Sequence, residues 1–192
     1  MNSVEDAVFN TPEKGIRLLL DEIAPDPESD SLKNTPTRWV KAIREMTSGY
    51  SLVPTEILSV SFEDYYDEMV VLRGIRFSSL CEHHLLPFIG QATVGYLPSG
   101  GKVVGLSKLA RLVECHARRL QIQERMTRDI ASDLMADPLN AAGAGVIVRA
   151  EHSCMACRGI RKEGAEMVTS SMMGAMEEAH VKSELLGLAG IR

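Results

Sequence analysis

Apolar positions along this chain change period more than once. Between Pro12 and Ile23 they fall at Ile16, Leu19, Leu20 and Ile23, the spacing of one helical face, and Pro25 and Pro27 stop the pattern. After the polar loop from Glu28 to Lys33, Thr35 can cap a second helix with Pro36 at its first position. Trp39, Val40, Ile43 and Met46 make its apolar stripe, and Gly49 ends it. From Met69 the period shortens to that of a strand. Met69 to Leu72 and Ile75 to Phe77 read as strand with Gly74 at a bulge, and Phe88 to Tyr96 reads as a second strand. Ser99-Gly100-Gly101 turns the chain into the short apolar segment Val103-Val104.

Helical spacing returns at Leu109, Leu112, Val113 and His116, with Ser107 as the expected cap, and again at Ile122, Met126, Ile130 and Leu134. Asn140 to Gly145 ends that region. Val146-Ile147-Val148 opens a strand leading to His152, Met167-Val168-Thr169 fits another, and Glu178 to Leu186 closes as a short helix. Strand pairs and helix pairs are segregated along the chain, which predicts an α+β fold with an antiparallel sheet.

Composition narrows the class. A chain of 192 residues with 45% apolar and 24% charged residues suits one domain with a sizeable core, with room for a small appendage. No apolar run approaches the length of a membrane span, and the first residues, Met1 to Asp6, are acidic where a signal peptide would be basic. A cytoplasmic protein with no membrane partner is expected. In that compartment thiols stay reduced, so paired cysteines point to metal or redox chemistry before disulfides. The net charge of −5 argues against nonspecific nucleic-acid binding. Basic residues nevertheless gather at Lys102, Lys108, Arg111, Arg118, Arg119, Arg125 and Arg128, a local field that suits a small polyanion such as a phosphorylated metabolite. For any one of them a solvated helix face is the simpler reading.

The chemistry concentrates in two short segments. Cys81-Glu82-His83-His84 and His152 to Cys157 hold three of the four cysteines and three of the five histidines. Cys81 and His84 are spaced to reach one ion from a single turn of chain, and Cys154 would close a Cys2His site whose fourth position is left to water, the arrangement of a catalytic zinc. His83, and His152 beside Cys154, are then acid–base candidates next to the metal. Adding Cys157, the second thiol of a C-x-x-C, would instead make a closed Cys3His structural site. Cys115, between Glu114 and His116, reads as a small core residue. Glu124, which follows Gln121 and Gln123, could accept two N–H bonds from a guanine edge, and Lys108, Arg111 and Arg158 could hold phosphates.

These motifs resemble GTP cyclohydrolase I. Ser79 to Gly90 is similar to the family's first zinc segment, and His152 to Gly159 to its second. Gly105 to Arg111 and Arg118 to Thr127 resemble the segments between them, and weaker similarity extends to Thr35–Arg38 and Val168–Ser170. The resemblance implies a tunnelling fold: an antiparallel sheet with paired helices, closed into a barrel only by oligomerisation, in a homodecamer of two stacked pentamers with sites at subunit interfaces. On this basis residues 1–68 are assigned to a helical N-terminal extension and residues 69–192 to the catalytic domain. It further implies Zn2+ held by Cys81, His84 and Cys154, with Cys157 outside the ligand set. The implied reaction takes GTP and water to formate and 7,8-dihydroneopterin triphosphate, beginning with attack of zinc-activated water at C8 of the guanine. His152 would protonate N7, and His83 with Ser107 would move protons on the ribose side. Gln123 and Glu124 would hold the guanine, and Lys108, Arg111 and Arg158 the triphosphate. The chain departs from the family pattern at Met167, at Met176 and around Lys182, which bears on packing of the terminal helix.

Two other readings share some of these features. A zinc nucleoside deaminase would need a Glu two residues after its ligand histidine and a Pro-Cys-x-x-Cys segment. Here His84 is followed by Leu85-Leu86, and Glu151 precedes His152, so the pattern fails. A non-catalytic, zinc-stabilised oligomeric binding module would use Cys157 as a fourth ligand, and release of formate from GTP distinguishes it from an enzyme.

Overall fold

The computed structural model describes residues 11–63 and 66–190. Contacts divide the chain into two compact units, one ending at Met46 and the other beginning at Thr47. In the first, α1 (Pro12–Ile23) and α2 (Thr35–Met46) pack together, with Leu20, Pro36 and Val40 buried. Arg17 ties down the loop between them by donating to the Pro27 and Lys33 carbonyls and pairing with Glu28. Much of the expected apolar stripe is not buried here: Leu19, Ile23 and Trp39 are exposed. Two short helices have only one shared seam to bury, so the rest of each stripe remains on the surface.

The second unit begins with a 3-10 turn (Ser48–Ser51) and α3 (Pro54–Leu58), followed by β1 (Ser61–Glu63). The long hairpin β2 (Val70–Cys81) and β3 (Pro87–Leu97) comes next, then β4 (Lys102–Val104), α4 (Leu106–Ala117), β5 (Leu120–Gln121) and α5 (Gln123–Met135). Next are β6 (Gly143–His152), the single turn α6 (Ser153–Ala156), β7 (Glu166–Gly174) and, after a 3-10 turn, α7 (Ala179–Ala189). The main sheet has the order β5-β2-β3-β6-β7, and β1 pairs with β4 in a separate ribbon. Every pairing is antiparallel except the two-residue parallel contact of β5 with β2, a departure from a wholly antiparallel sheet. The overall class is α+β.

Alternation places one face of the sheet in the core. Phe77, Phe88, Ala92, Val94, Tyr96, Val146, Val148 and Ala150 meet Leu109, Leu112 and Val113 of α4 and Met126, Ile130 and Leu134 of α5. His116 and Asp133, 2.6 Å apart, link these two helices. Arg76, Gln91, Arg149 and Glu151 point from the opposite face, part of which α7 covers by setting Leu185 against Gly95 and Gly145. Gly74, with φ +73°, sits where the β2–β3 register shifts, as the bulge expectation requires.

Two local expectations are corrected. Ser107 is not the cap of α4: Gly105 is, and the Lys108 N–H to Gly105 carbonyl bond closes the first turn with Ser107 already inside it. Gly143 to Gly145 is strand and not the end of a loop, because small residues are needed there. A Cβ on Gly145 would lie 2.4 Å from Leu185 of α7, and one on Gly143 would lie 2.7 Å from the Met176 nitrogen. Met176 and Leu185, both fully buried, form a second small core with Met69. Methionine at 176 thus fills the space under the terminal helix.

Candidate metal centre

The centre is built where the β2–β3 hairpin turns back on itself. The Cys81 N–H donates to the Leu86 carbonyl, and the Leu85 N–H returns to the Cys81 carbonyl at 2.8 Å. Leu85 takes φ 54° to close this turn. Residues 82–84 therefore project from the end of the hairpin, with His83 and His84 exposed and Cys81 buried at their base. The second segment arrives through register: Phe88 on β3 is paired with His152 on β6, so the turn that follows His152 is delivered beside the hairpin end. Cys154 lies in that turn.

The ligand atoms of Cys81, His84 and Cys154 all lie within 4.8 Å of one another, so these three residues form a group able to hold a metal ion. Cys154's thiol is pushed up from its ordinary pKa, first by burial and then by the nearby Cys81 sulfur. Two sulfurs crowded in this way resist ionising together unless a cation sits between them, which is the chemistry of a metal site. Cys157 stands outside the group: it is exposed and its sulfur bonds the Ser153 carbonyl at 2.8 Å. Arg158 reaches the centre, with a terminal guanidinium nitrogen 2.8 Å from His84 Nε2. His83 Nδ1 lies 3.8 Å from the Cys81 sulfur.

His152 is held on two sides. Its ring stacks on Phe88 with centroids 4.5 Å apart and planes 2° from parallel. Its Nε2 lies 2.9 Å from Gln123 Oε1. Gln123 is fully buried, and its amide nitrogen faces the Val148 and Met167 carbonyls and the Thr169 hydroxyl at 3.0–3.2 Å. Those acceptors fix which end of the amide is nitrogen, so Oε1 must accept from an Nε2–H on His152. The tautomer follows: Nδ1 keeps the lone pair. Burial also lowers the His152 pKa below its ordinary value, opposed by the charge of Glu124. Gln123's donors are thus engaged inside the protein, and its side chain has none left for a guanine. Glu124, next along at the start of α5, is exposed.

Sequence reasoning did not find the Gln123–His152 bond or the Phe88 stack. The only signal for either was that these residues flank the motif cysteines and histidines. It also left Glu82 without a role and read Arg125 as a member of a basic field. The two form an ion pair, and Arg125 additionally donates to the Leu120 carbonyl at 3.0 Å, bracing the hairpin end against α5. The Arg125 guanidinium holds the Glu82 carboxyl below the usual carboxylate range.

Ser107, Lys108 and Arg111 are not brought to this centre within the chain. They lie on the first half of α4, and among the described residues their side chains make no hydrogen bond or ion pair. The C-terminal end of α4 leads into β5, where Gln121 pairs with Cys81. The N-terminal end follows Val104, whose N–H donates to the Tyr96 hydroxyl beside Val70, at the far end of β2. Ser107 precedes Ala117 by ten residues, about 15 Å at a helical rise of about 1.5 Å per residue. Two grooves of about 580 and 420 Å³ open on the sheet face that carries Gln91 and Arg149, the second bordered by Ala189 of α7, and neither includes the metal-binding trio.

Comparison with known proteins decides the family. The family model described as GTP cyclohydrolase I matches residues 12–189. The chain belongs to the GTP cyclohydrolase I family. It is 50% identical over 175 residues to the GTP cyclohydrolase 1 of Synechococcus sp. strain JA-2-3B'a(2-13), covering 90% of this chain and 76% of the relative. The Rhodopirellula baltica GTP cyclohydrolase 1 is 49% identical over 181 residues, with 94% and 78% of the two chains covered. That of Coxiella burnetii strain Dugway 5J108-111 is 44% identical over 181 residues, with 93% and 97% covered. Membership at this coverage makes the protein an enzyme of the GTP cyclohydrolase I type.

Proposed function

We propose that this protein is a zinc-dependent hydrolase that converts GTP and water to formate and 7,8-dihydroneopterin triphosphate, at sites completed between subunits of a homo-oligomer. The observation that carries the reading is the gathering of Cys81, His84 and Cys154 beside a histidine whose tautomer is fixed by a buried glutamine. Two thiolates and an imidazole are a zinc donor set, and tetrahedral zinc with bonds of about 2.0–2.3 Å needs such atoms a little under 4 Å apart. When bound, zinc supplies Lewis acidity and activates water near neutral pH.

The chain's own residues supply the rest. His152, uncharged because it is buried and with Nδ1 free of a proton, is suited to accept a proton there and return it to N7 of the guanine as the ring opens. His83, exposed on the hairpin end beside Cys81, serves the later proton transfers, with Ser107 assisting. Glu124 holds the guanine edge: an ionised carboxylate only accepts, and guanine presents N1–H and its exocyclic amine side by side. Gln123 contributes through His152 and not through its own amide. Arg158, already against His84, and Lys108 and Arg111 bind the triphosphate.

The separation of Ser107, Lys108 and Arg111 from the metal-binding trio supports a site shared between chains, as in a decamer of two pentamers. The bond of Cys157 to the Ser153 carbonyl, outside the trio, argues against a closed structural zinc. No helix among the described residues is long and apolar enough to cross a membrane, and a cytoplasmic location fits the reduced thiols the site needs.

The test is direct. Purified protein is given GTP and, separately, ATP, and formate is measured alongside bound metal. We expect one zinc per chain, formate from GTP and negligible formate from ATP, because adenine places an acceptor where Glu124 needs a donor. Cys81→Ser, His84→Ala and Cys154→Ser should each lose most of the metal. Full zinc retention in Cys154→Ser, or equal rates on both nucleotides, would overturn the reading.

A further inference from the structure

Cys157 is left unused by the chemistry above, yet it is the most accessible of the four thiols. It caps the single turn α6, three residues beyond Cys154, and is exposed, whereas Cys81 and Cys115 are buried and Cys154 is partly so. Residues three apart on a helical turn share a face with Cβ atoms about 5–6 Å apart. A disulfide needs about 3.5–4.5 Å between them, so the bridge asks for a shift of roughly an ångström or two. The chain just beyond can supply it. Residues 157–164 are all exposed, and Gly159 (φ +61°) has open space around the position of a Cβ.

We propose that Cys154 and Cys157 form a reversible redox pair whose oxidation by a hydroperoxide withdraws a ligand from the metal centre. The inference rests on the metal assignment of the preceding subsection. Cys157 is the entry point, being the exposed thiol. Its sulfur attacks one oxygen of hydrogen peroxide, the O–O bond breaks, and the departing hydroxide leaves as water after taking up a proton. The resulting sulfenic acid is attacked by the Cys154 sulfur: the S–S bond forms, the S–O bond breaks, and a second water departs. Two thiols have lost two electrons and two protons, and one peroxide has become two waters. Only Cys81 and His84 then remain of the trio, and two donors hold zinc far more weakly than three. A dithiol reductant reverses the bridge by exchange.

The experiment starts from the zinc-loaded enzyme, whose metal content is measured before any oxidant is added. That first measurement tests the metal assignment separately. Limited hydrogen peroxide is then applied while a chromogenic chelator reports released metal, and alkylation with peptide mapping locates the bridge. The expected result is one metal released per Cys154–Cys157 disulfide, with dithiothreitol and zinc restoring the starting state. Cys157→Ser should hold its metal before treatment and release it about tenfold more slowly under the same peroxide dose, having lost the exposed entry thiol. The proposal is overturned if Cys157→Ser releases metal as fast as the unmodified protein. It is equally overturned if peroxide expels the metal while both Cys154 and Cys157 still alkylate, or if mapping finds Cys154 bridged to Cys81. If no metal is present at the outset, the metal assignment fails, and the mapped disulfide alone then decides whether the pair exists.

Discussion

Gln123 is tied into the protein interior beside the candidate site. Its amide nitrogen is committed to the Val148 and Met167 carbonyls and the Thr169 hydroxyl, so its oxygen has one orientation available, toward His152. Gln123→Met keeps most of the volume and removes every one of those bonds. Leaving buried carbonyls unpaired costs about 1–3 kcal/mol of stability, and freeing the imidazole to change tautomer should lower turnover. We expect kcat to fall while KM for GTP and bound metal stay unchanged. His152→Ala should lose about a hundred- to ten-thousandfold in turnover with metal retained. Combining the two should cost little more than His152→Ala alone, since residues that act through one another are not additive. Additive losses measured by steady-state kinetics would show that Gln123 acts elsewhere. The trio itself was legible in the sequence because cysteine and histidine are scarce and were clustered. Gln123 was named there as a guanine contact, but its bond to His152 was not legible, because that bond is created by burial between α5, β6 and β7, and a glutamine reads the same in sequence whether buried or exposed.

At the level of elements, the β3–β6 pairing carries the second half of the site to the first. Gly90 is paired with Ala150, and the strands approach so closely that a Cβ on Gly90 would lie 2.0 Å from the Arg149 carbonyl oxygen. The obstacle is backbone, so rotamer changes cannot relieve it. Gly90→Ala should push β3 from β6 two residues away from the Phe88–His152 pair. A destabilisation of about 1–3 kcal/mol is expected from overpacking, equivalent to about 2–12 °C in Tm for a chain of this size. Thermal unfolding that matches the parent protein would contradict this close approach. The long strands and helices were readable because their periods of two and 3.6 persist over several turns. β1 and β5 were not, being three and two residues long, too short for any period to register. The glycines around 143–145 suggested a loop, whereas the fold uses their missing side chains to admit Leu185 and the Met176 backbone.

At the scale of the whole molecule, the proposed function divides the site into two halves at opposite ends of α4. The metal-binding trio lies at the β5 end, and Ser107, Lys108 and Arg111 lie at the end that follows β4. A triphosphate chain cannot reach both halves within one subunit if they are separated by the length of the helix. A neighbouring copy can bring its own α4 N-terminal end to the trio, and ring symmetry would repeat that contact around the assembly. The arrangement makes a specific prediction for mixed oligomers. His152→Ala carries an intact α4 end, and the double variant Lys108→Ala/Arg111→Ala carries an intact metal half, so each alone should release little formate from GTP. Co-expressed in equal amounts and assembled at random, they should create sites in which both halves are intact. Such a site needs one particular variant on each side, so about a quarter of the sites should be competent. Formate release near that fraction of the parent rate, with parental zinc content in the mixture, is the expected outcome. If both halves instead belonged to one chain, every site would keep a lesion, and the mixture would do no better than the average of its two parents.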